Sequence, residues 1–249
     1  MIALLDLRMK HMKEDIPKVL TNEKRGTRSY VLRQGRMSSG QKKALDLHYD
    51  TYVLNDEQMK GLSEQFQHQG PIICSIGFGM GEALLQQALK NPEKNFFGIE
   101  VHAPGIGSLI EGIVQEDIKN LLIAHRDVTT VIAQLPDHCI DTWQIFFPDP
   151  WHKKRHHKRR LIQNNFLNSL VLKTKQQGHL HIATDWAHYA EHCTEVLKEN
   201  MQWHNTCQSS DANFPYLPAD KCYDLRVETK YERRGKRLGH EIFDLYYSL

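Results

Sequence analysis

The stretch that most constrains the fold is PIICSIGFGMGEALLQQALK, Pro71 to Lys90. Ile72, Ile73, Cys74 and Ile76 make an apolar run of the length of a buried strand, and Ala83, Leu84, Gln87 and Ala88 recur at helical spacing between Glu82 and Lys90. Gly77, Gly79 and Gly81 stand between the two. A strand, a glycine turn and a helix in that order open an α/β sheet that cradles a nucleotide-like ligand, because glycine lets the backbone approach with no Cβ in the way. The spacing is GxGxG and not GxGxxG, which weighs against a nicotinamide cofactor. Alone, the motif does not name the ligand.

Further apolar runs downstream each stop at an acid. NFFGIEV carries Glu100 at the tip of the second strand, where a carboxylate can accept both hydroxyls of a ribose or can cap the helix that follows. LLIAHRD ends at Asp127, which suits a contact to an adenine amino group and equally an N-cap for a short helix from Val128 to Leu135. HLHIATD, from Gly178, ends at Asp185. Between these lies FFPDPWHKKRHHKRR, Phe146 to Arg160: the strand residues Trp143, Ile145, Phe146 and Phe147 stop at Pro148, and the two prolines hold Asp149 in a stiff turn. Lys153, Lys154, Arg155, Lys158, Arg159 and Arg160 follow with no acid among them, a tract suited to phosphates or, taken by itself, to a solvated face.

Helices are expected over about Asn55 to His68, Ile106 to Asn120 and Trp186 to Asn200, with Leu161, Phe166, Leu167 and Leu170 as one more apolar stripe. Residues 1 to 36 read as a mobile arm, basic from Lys24, with Arg25, Arg28, Arg33 and Arg36 around Tyr30; residues 37 to 249 read as one domain. Residues 201 to 222 are polar and irregular, and Arg226 to Leu249 is expected to fold as two antiparallel strands around a basic turn at 233 to 237.

The formal net charge of +2 means that affinity for a polyanion must come from these clusters and not from the whole. Five scattered cysteines without a CxxC pair or secretory signal point to reduced thiols in the cytoplasm, and no apolar stretch is long enough for a membrane span. The fifteen histidines include His152 and His156 at helical spacing, but neither HExxH nor a companion carboxylate accompanies them, so no metal site is expected.

Taken together, IGFGMG at 76 to 81, GIEVHAPG at 98 to 105, FFPDPWHKKRHHKRR at 146 to 160, ATDW at 183 to 186 and TKYERRGKRLGH at 229 to 240 closely resemble the bacterial tRNA (guanine-N7)-methyltransferases, over roughly residues 25 to 249. The PDPW and RGxRLGH blocks are specific to that family, whereas the glycine turn belongs to class I methyltransferases at large. The resemblance implies an α/β, Rossmann-like, mostly parallel sheet of seven strands with helices on both faces and a C-terminal antiparallel hairpin, as in class I methyltransferases. It implies S-adenosylmethionine as cofactor and N7 of the guanine at position 46, in the tRNA variable loop, as acceptor. Carried onto this chain, it assigns catalysis to Asp149 and cofactor contacts to Ser75, Gly77, Gly79, Gly81, Glu100, Asp127 and Asp149. Substrate contacts fall on Lys153, Asp185, Thr229, Lys230, Tyr231 and Glu232, and RSYVLRQGR matches an arm that closes over the site.

Where the family has a glutamate just before IGFG, this chain has Ser75, and Tyr231 replaces a phenylalanine. Ser75 motivates an alternative: a tRNA-binding protein or chaperone weakened in catalysis. A methyltransferase of a small molecule or protein is a third reading, which would leave the basic tract without a use. The expected partner is tRNA, held through residues 153 to 160 and 233 to 237 by a cytoplasmic monomer or homodimer with no membrane association.

Overall fold

A computed structural model describes residues 28–30, 35–206, 216 and 226–249. Most of the expected arm, residues 1–27 and 31–34, and most of the irregular segment after 206 lie outside the described residues.

The glycine-turn unit forms as its sequence dictates. Strand β1 spans Ile72–Ile76 and helix α3 spans Glu82–Lys90. Ahead of them are α1, Ser39–Tyr52, and α2, Asp56–Lys60. The sequence reading had no helix at α1, yet its start is well specified: Ser38 accepts from Gln41 N while the Gln41 side chain accepts from Ser38 N, a reciprocal cap. Asn55 caps α2 in the same way, but the helix expected to run to His68 stops at Lys60 and continues only as a tight turn, Leu62–Gln65. Gly61 stands at the break, with φ −120° and ψ 48°, outside the helical region.

Then β2, Asn95–Ile99, α4, Ala103–Gln115, β3, Leu121–Ala124, α5, Val128–Gln134, and β4, Ile140–Phe146, follow in alternation. After a tight helical turn at Lys154–Arg159 come α6, Asn164–Lys173, β5, Thr174–Thr184, and α7, Ala187–Glu199. The chain closes with β6, His204–Asn205, α8, Lys230–Arg237, and β7, Phe243–Ser248.

The seven strands form one sheet in the order β3-β2-β1-β4-β5-β7-β6. The first five are parallel, while β7 is antiparallel to β5 and β6 antiparallel to β7. Every residue of β1, β2 and β3 is buried, as befits parallel strands covered on both faces. Alternation of side chains divides the core in two: Cys74, Ile76, Phe97 and Trp143 pack with α5, α6 and α7, while Ile73, Phe96, Leu121 and Ile123 pack with α1, α3 and α4.

One expectation fails at the C-terminus. The first half of Arg226 to Leu249 is the helix α8 and not a strand. Thr229 accepts from Glu232 N and so caps the helix, and Gly239, at φ +75°, ends it, with His240 N donating to Gly235 O. Gly235 serves close packing: a Cβ there would lie 3.0 Å from an Asp185 carboxylate oxygen. The antiparallel pairing at this end of the sheet comes from β7 against β5 and β6 instead.

Candidate active site

In the strand order the chain moves one way from β1 to β3 and the other way from β1 to β4, so the crevice outside the ends of β1 and β4 is where an open α/β sheet takes a ligand. A cleft open to solvent lies there. Ser75, Gly77, Gly81, Glu82 and Gln87 from the glycine-turn unit, Phe146 from β4, and Thr229, Lys230 and Tyr231 from the start of α8 line it.

The glycine turn has φ +72°, +63° and +82° at Gly77, Gly79 and Gly81, values open to glycine at no steric cost. A Cβ on Gly77 would meet nothing within 4 Å, so this position faces open space, as a cradle for a ligand requires. Gly105, in the first turn of α4, packs on the same loop: its absent Cβ would stand 2.0 Å from the carbonyl oxygen of Gly79. Gly105 is a shaping residue that the sequence reading quoted but did not single out.

Glu100 holds the turn from the β2 side. One carboxylate oxygen accepts from Gly79 N at 2.9 Å, and the other accepts from Val101 N at 2.7 Å and His102 N at 3.0 Å. Each oxygen carries two acceptor sites, so capacity for a ribose hydroxyl remains. Asp127 stands beyond the end of β3 and caps α5 by accepting from Thr129 N at 2.8 Å. Burial, followed by the charge of the nearby Asp127, pushes the Tyr30 phenol up. Tyr30 therefore lies near the acid expected to meet the cofactor.

The turn after β4 is fixed from several sides. The strand ends one residue earlier than expected: Phe147 is left-handed at φ 52°, and Trp151 at φ 49°. Asp149, between them, is exposed, with one carboxylate oxygen accepting from Trp151 N at 3.1 Å. Non-glycine residues in that region cluster where the surrounding structure over-determines them, often at functional sites. Arg160 helps to hold this turn. It is buried, donates from Nε to Pro150 O at 3.1 Å and lies over the Tyr189 ring, so its charge faces the protein and not solvent. Arg159 stacks 4.0 Å above Trp151 and donates to Arg28 O, while Trp151 Nε1 donates to Ser29 O at 3.1 Å. Two of the six cations in the tract thus bind the protein, and Lys153, Lys154, Arg155 and Lys158 stay exposed.

The far side of the rim carries a buried charge cluster that the sequence reading missed. Arg226 donates twice to Asp244, at 2.7 Å each, and also to Glu232, while His181 Nε2 lies 2.7 Å from Asp244. Burial alone would raise the Asp244 carboxyl, but the hydrogen bonds from Arg226 and His181 outweigh it and hold it at about 2. Burial keeps His181 below the ordinary imidazole range. Glu232, one of the expected substrate contacts, points into this cluster and is 0% exposed. Asp185 is half-buried against α8 and lies 3.2 Å from His240 Nδ1. The cluster sets α8 on the sheet and so places Thr229, Lys230 and Tyr231 at the cleft. Tyr231 is exposed and stacks toward Phe147, with ring centroids 6.4 Å apart.

Comparison with known proteins gives the family. The family model described as "Putative methyltransferase" matches residues 69–245. The tRNA (guanine-N(7)-)-methyltransferase of Pasteurella multocida (strain Pm70) is 44% identical over 226 residues, covering 90% of this chain and 86% of that one. That of Marinobacter nauticus is also 44% identical, covering 90% and 92%. The chain belongs to the tRNA (guanine-N7)-methyltransferase family.

Among solved structures, the 16S rRNA methyltransferase KamB matches with a TM-score of 0.54 at 14% identity, over 80% of this chain and 98% of that one, a likeness of fold. Within the family frame, the parts that fit S-adenosylmethionine are an open cradle at Gly77, an acid at Glu100 with one spare acceptor site, and the cleft beside the glycine turn. The reading of a protein that only binds tRNA is not favoured. Glu82, an acid that lines the same cleft as Ser75, gives both carboxylate oxygens to Arg233 at 3.1 Å. Among the described residues no cluster suited to a metal occurs, and no helix is long and apolar enough to cross a membrane.

Proposed function

We propose that the chain transfers the methyl group of S-adenosylmethionine to N7 of a guanine in tRNA, at position 46 of the variable loop, with residues 37 to 249 acting as one catalytic domain in the cytoplasm. The observation that carries this reading is the continuity of β4: Phe146 lines the cleft, and a short way on Asp149 stands exposed at the head of the basic tract. One strand end thus joins a small-ligand site to a polyanion-binding face.

Guanine N7 has a free lone pair, so no base is required to make the nucleophile, and positioning carries most of the rate. When bound, S-adenosylmethionine supplies the electrophilic methyl. Ser75, Gly77, Gly79, Gly81, Glu100 and Asp127 hold it. Asp149 accepts from the N1 and N2 donors of the guanine and offsets the positive charge that N7 gains. Tyr231 offers a stacking face to the base once it has left the RNA stack. Thr229 and Glu232 act through the helix that they cap and anchor. Lys153, Lys154, Arg155 and Lys158, with Arg234 and Arg237 of α8, contact tRNA phosphates, and Asp185 with Lys230 completes the substrate side.

Mapping N7-methylguanosine after incubating the purified chain with unmodified tRNA and cofactor tests the reading. The expected product is one modified guanine in the variable loop. Methylation elsewhere, or RNA binding with no methyl transfer, overturns it.

A further inference from the structure

Four cations of α8 share one stripe of the helix. Lys230, Arg233, Arg234 and Arg237 stand at i, i+3, i+4 and i+7, and all four are exposed. Lys236, on another face, pairs with the nearby Glu228 and Glu232. Arg233 takes its acid from a distant element instead: its Nη2 donates to both carboxylate oxygens of Glu82, at 3.1 Å each. Glu82 lies in the first turn of α3 and lines the cleft, while Lys230 and Tyr231 line it from α8, so the bridge ties the two walls together. The Arg233 and Glu82 side chains are 48% and 62% exposed, and an ion pair so open to water holds weakly. A guanidinium binds a phosphate in the same fork geometry as a carboxylate. Released Glu82 stays in water at the N-terminus of α3, which favours an acid, so exchanging one anion for the other costs little.

We infer that Glu82 and a tRNA phosphate compete for Arg233. Glu82 masks one cation of a phosphate-binding stripe on α8, and tRNA binding breaks the bridge between α8 and α3. RNA suits the stripe because it brings phosphates in a row. While Lys230, Arg234 and Arg237 hold some of them, the next is already local to Arg233 and displaces the single carboxylate. This inference rests on the tRNA reading above, to which it adds the acid that opposes binding.

The test is the affinity of the full chain for unmodified tRNA at one moderate salt concentration, measured by fluorescence anisotropy on the parent, Glu82→Gln, Arg233→Gln and the double variant. Glu82→Gln should bind roughly two- to fivefold more tightly, since Arg233 no longer has a competing acid. In the Arg233→Gln background the same change should alter affinity by less than about 1.5-fold. Unchanged affinity in Glu82→Gln overturns the inference. So does equal tightening with and without Arg233, which would make Glu82 a general repulsive charge. Either result leaves the tRNA reading intact, because the parent still binds. A parent that does not bind tRNA overturns both. Both side chains are exposed, so melting should stay close to that of the parent; if Glu82→Gln does not fold, Glu82→Ala carries the same prediction.

Discussion

The two sides of the cleft are held in place by different means. On the β1–β2 side the shape is made by backbone: Gly77 N donates to Ile99 O, Gly79 N donates to Glu100, and Gly105 lets α4 press against the Gly79 carbonyl. On the β5–β7 side the shape is made by buried charge, with Arg226 joining Asp244 and Glu232 and His181 bonded to Asp244. A backbone cradle tolerates no added atom but needs few partners. A buried ion cluster tolerates packing changes but cannot lose one member, because the rest are then left charged and unpaired. The first side should therefore fail in ligand affinity and the second in stability.

The largest expected effect is on the charged side. Arg226→Met takes the buried guanidinium from Asp244 and Glu232, the latter also 3.0 Å from Lys236 Nζ, and should destabilise the fold by about 3–5 kcal/mol in chemical denaturation. A loss below about 1 kcal/mol would mean that the cluster does not hold α8. Asp149→Ala, at the exposed turn between the two sides, should cut methyl transfer by about 10²–10³-fold with melting close to that of the parent, since the side chain is exposed and accepts from the Trp151 amide. Near-normal turnover would remove Asp149 from the mechanism. Gly105→Ala sharpens the backbone side: its Cβ would push the Gly79 carbonyl away, so S-adenosylhomocysteine affinity should fall about tenfold or more. Unchanged affinity would show that the turn yields without harm to the cradle.

Acid should separate the sides as well. Burial lowers His181, His125, His179 and His192, so these are neutral in the fold, while the unfolded chain binds their protons near pH 6.5. Their contribution to stability is complete above that pH and is lost as pH falls through the lowered folded values. Asp244, held at about 2 against an ordinary 3.8, adds a second loss between about pH 4 and 2. A melting-temperature profile should be level above about pH 7, then fall in those two stages. The smallest effect is that of Lys158→Ala, which should weaken tRNA binding modestly and reduce its salt dependence by about one phosphate contact.

What could be read from the chain follows the same division. The glycine turn, β1 and α3 were legible because strand, turn and helix are adjacent in sequence and each has its own periodicity. The acids at Glu100, Asp127, Asp149 and Asp185 were legible as ends of apolar runs, and the sheet places all of them beyond the carboxyl ends of its parallel strands. The charge cluster was not, since His181, Arg226, Glu232 and Asp244 come from separate elements and none has a pattern that marks it as buried. Arg160 was misread for a related reason: within a basic run it is indistinguishable from its neighbours, and only the fold turns it toward Pro150 and Tyr189. The first of the two expected C-terminal strands became α8, while the second formed as β7, because the cap at Thr229 and the packing of Gly235 on Asp185 outweighed glycines that read as a turn.

By itself the sequence determined the α/β class, the cradle and the family, since each rests on short-range order of residue types. The tertiary structure decided which charges of the basic tract face solvent and which face the protein. That is a matter of burial, and burial is set by the residues a side chain meets in the fold, not by those beside it in the chain.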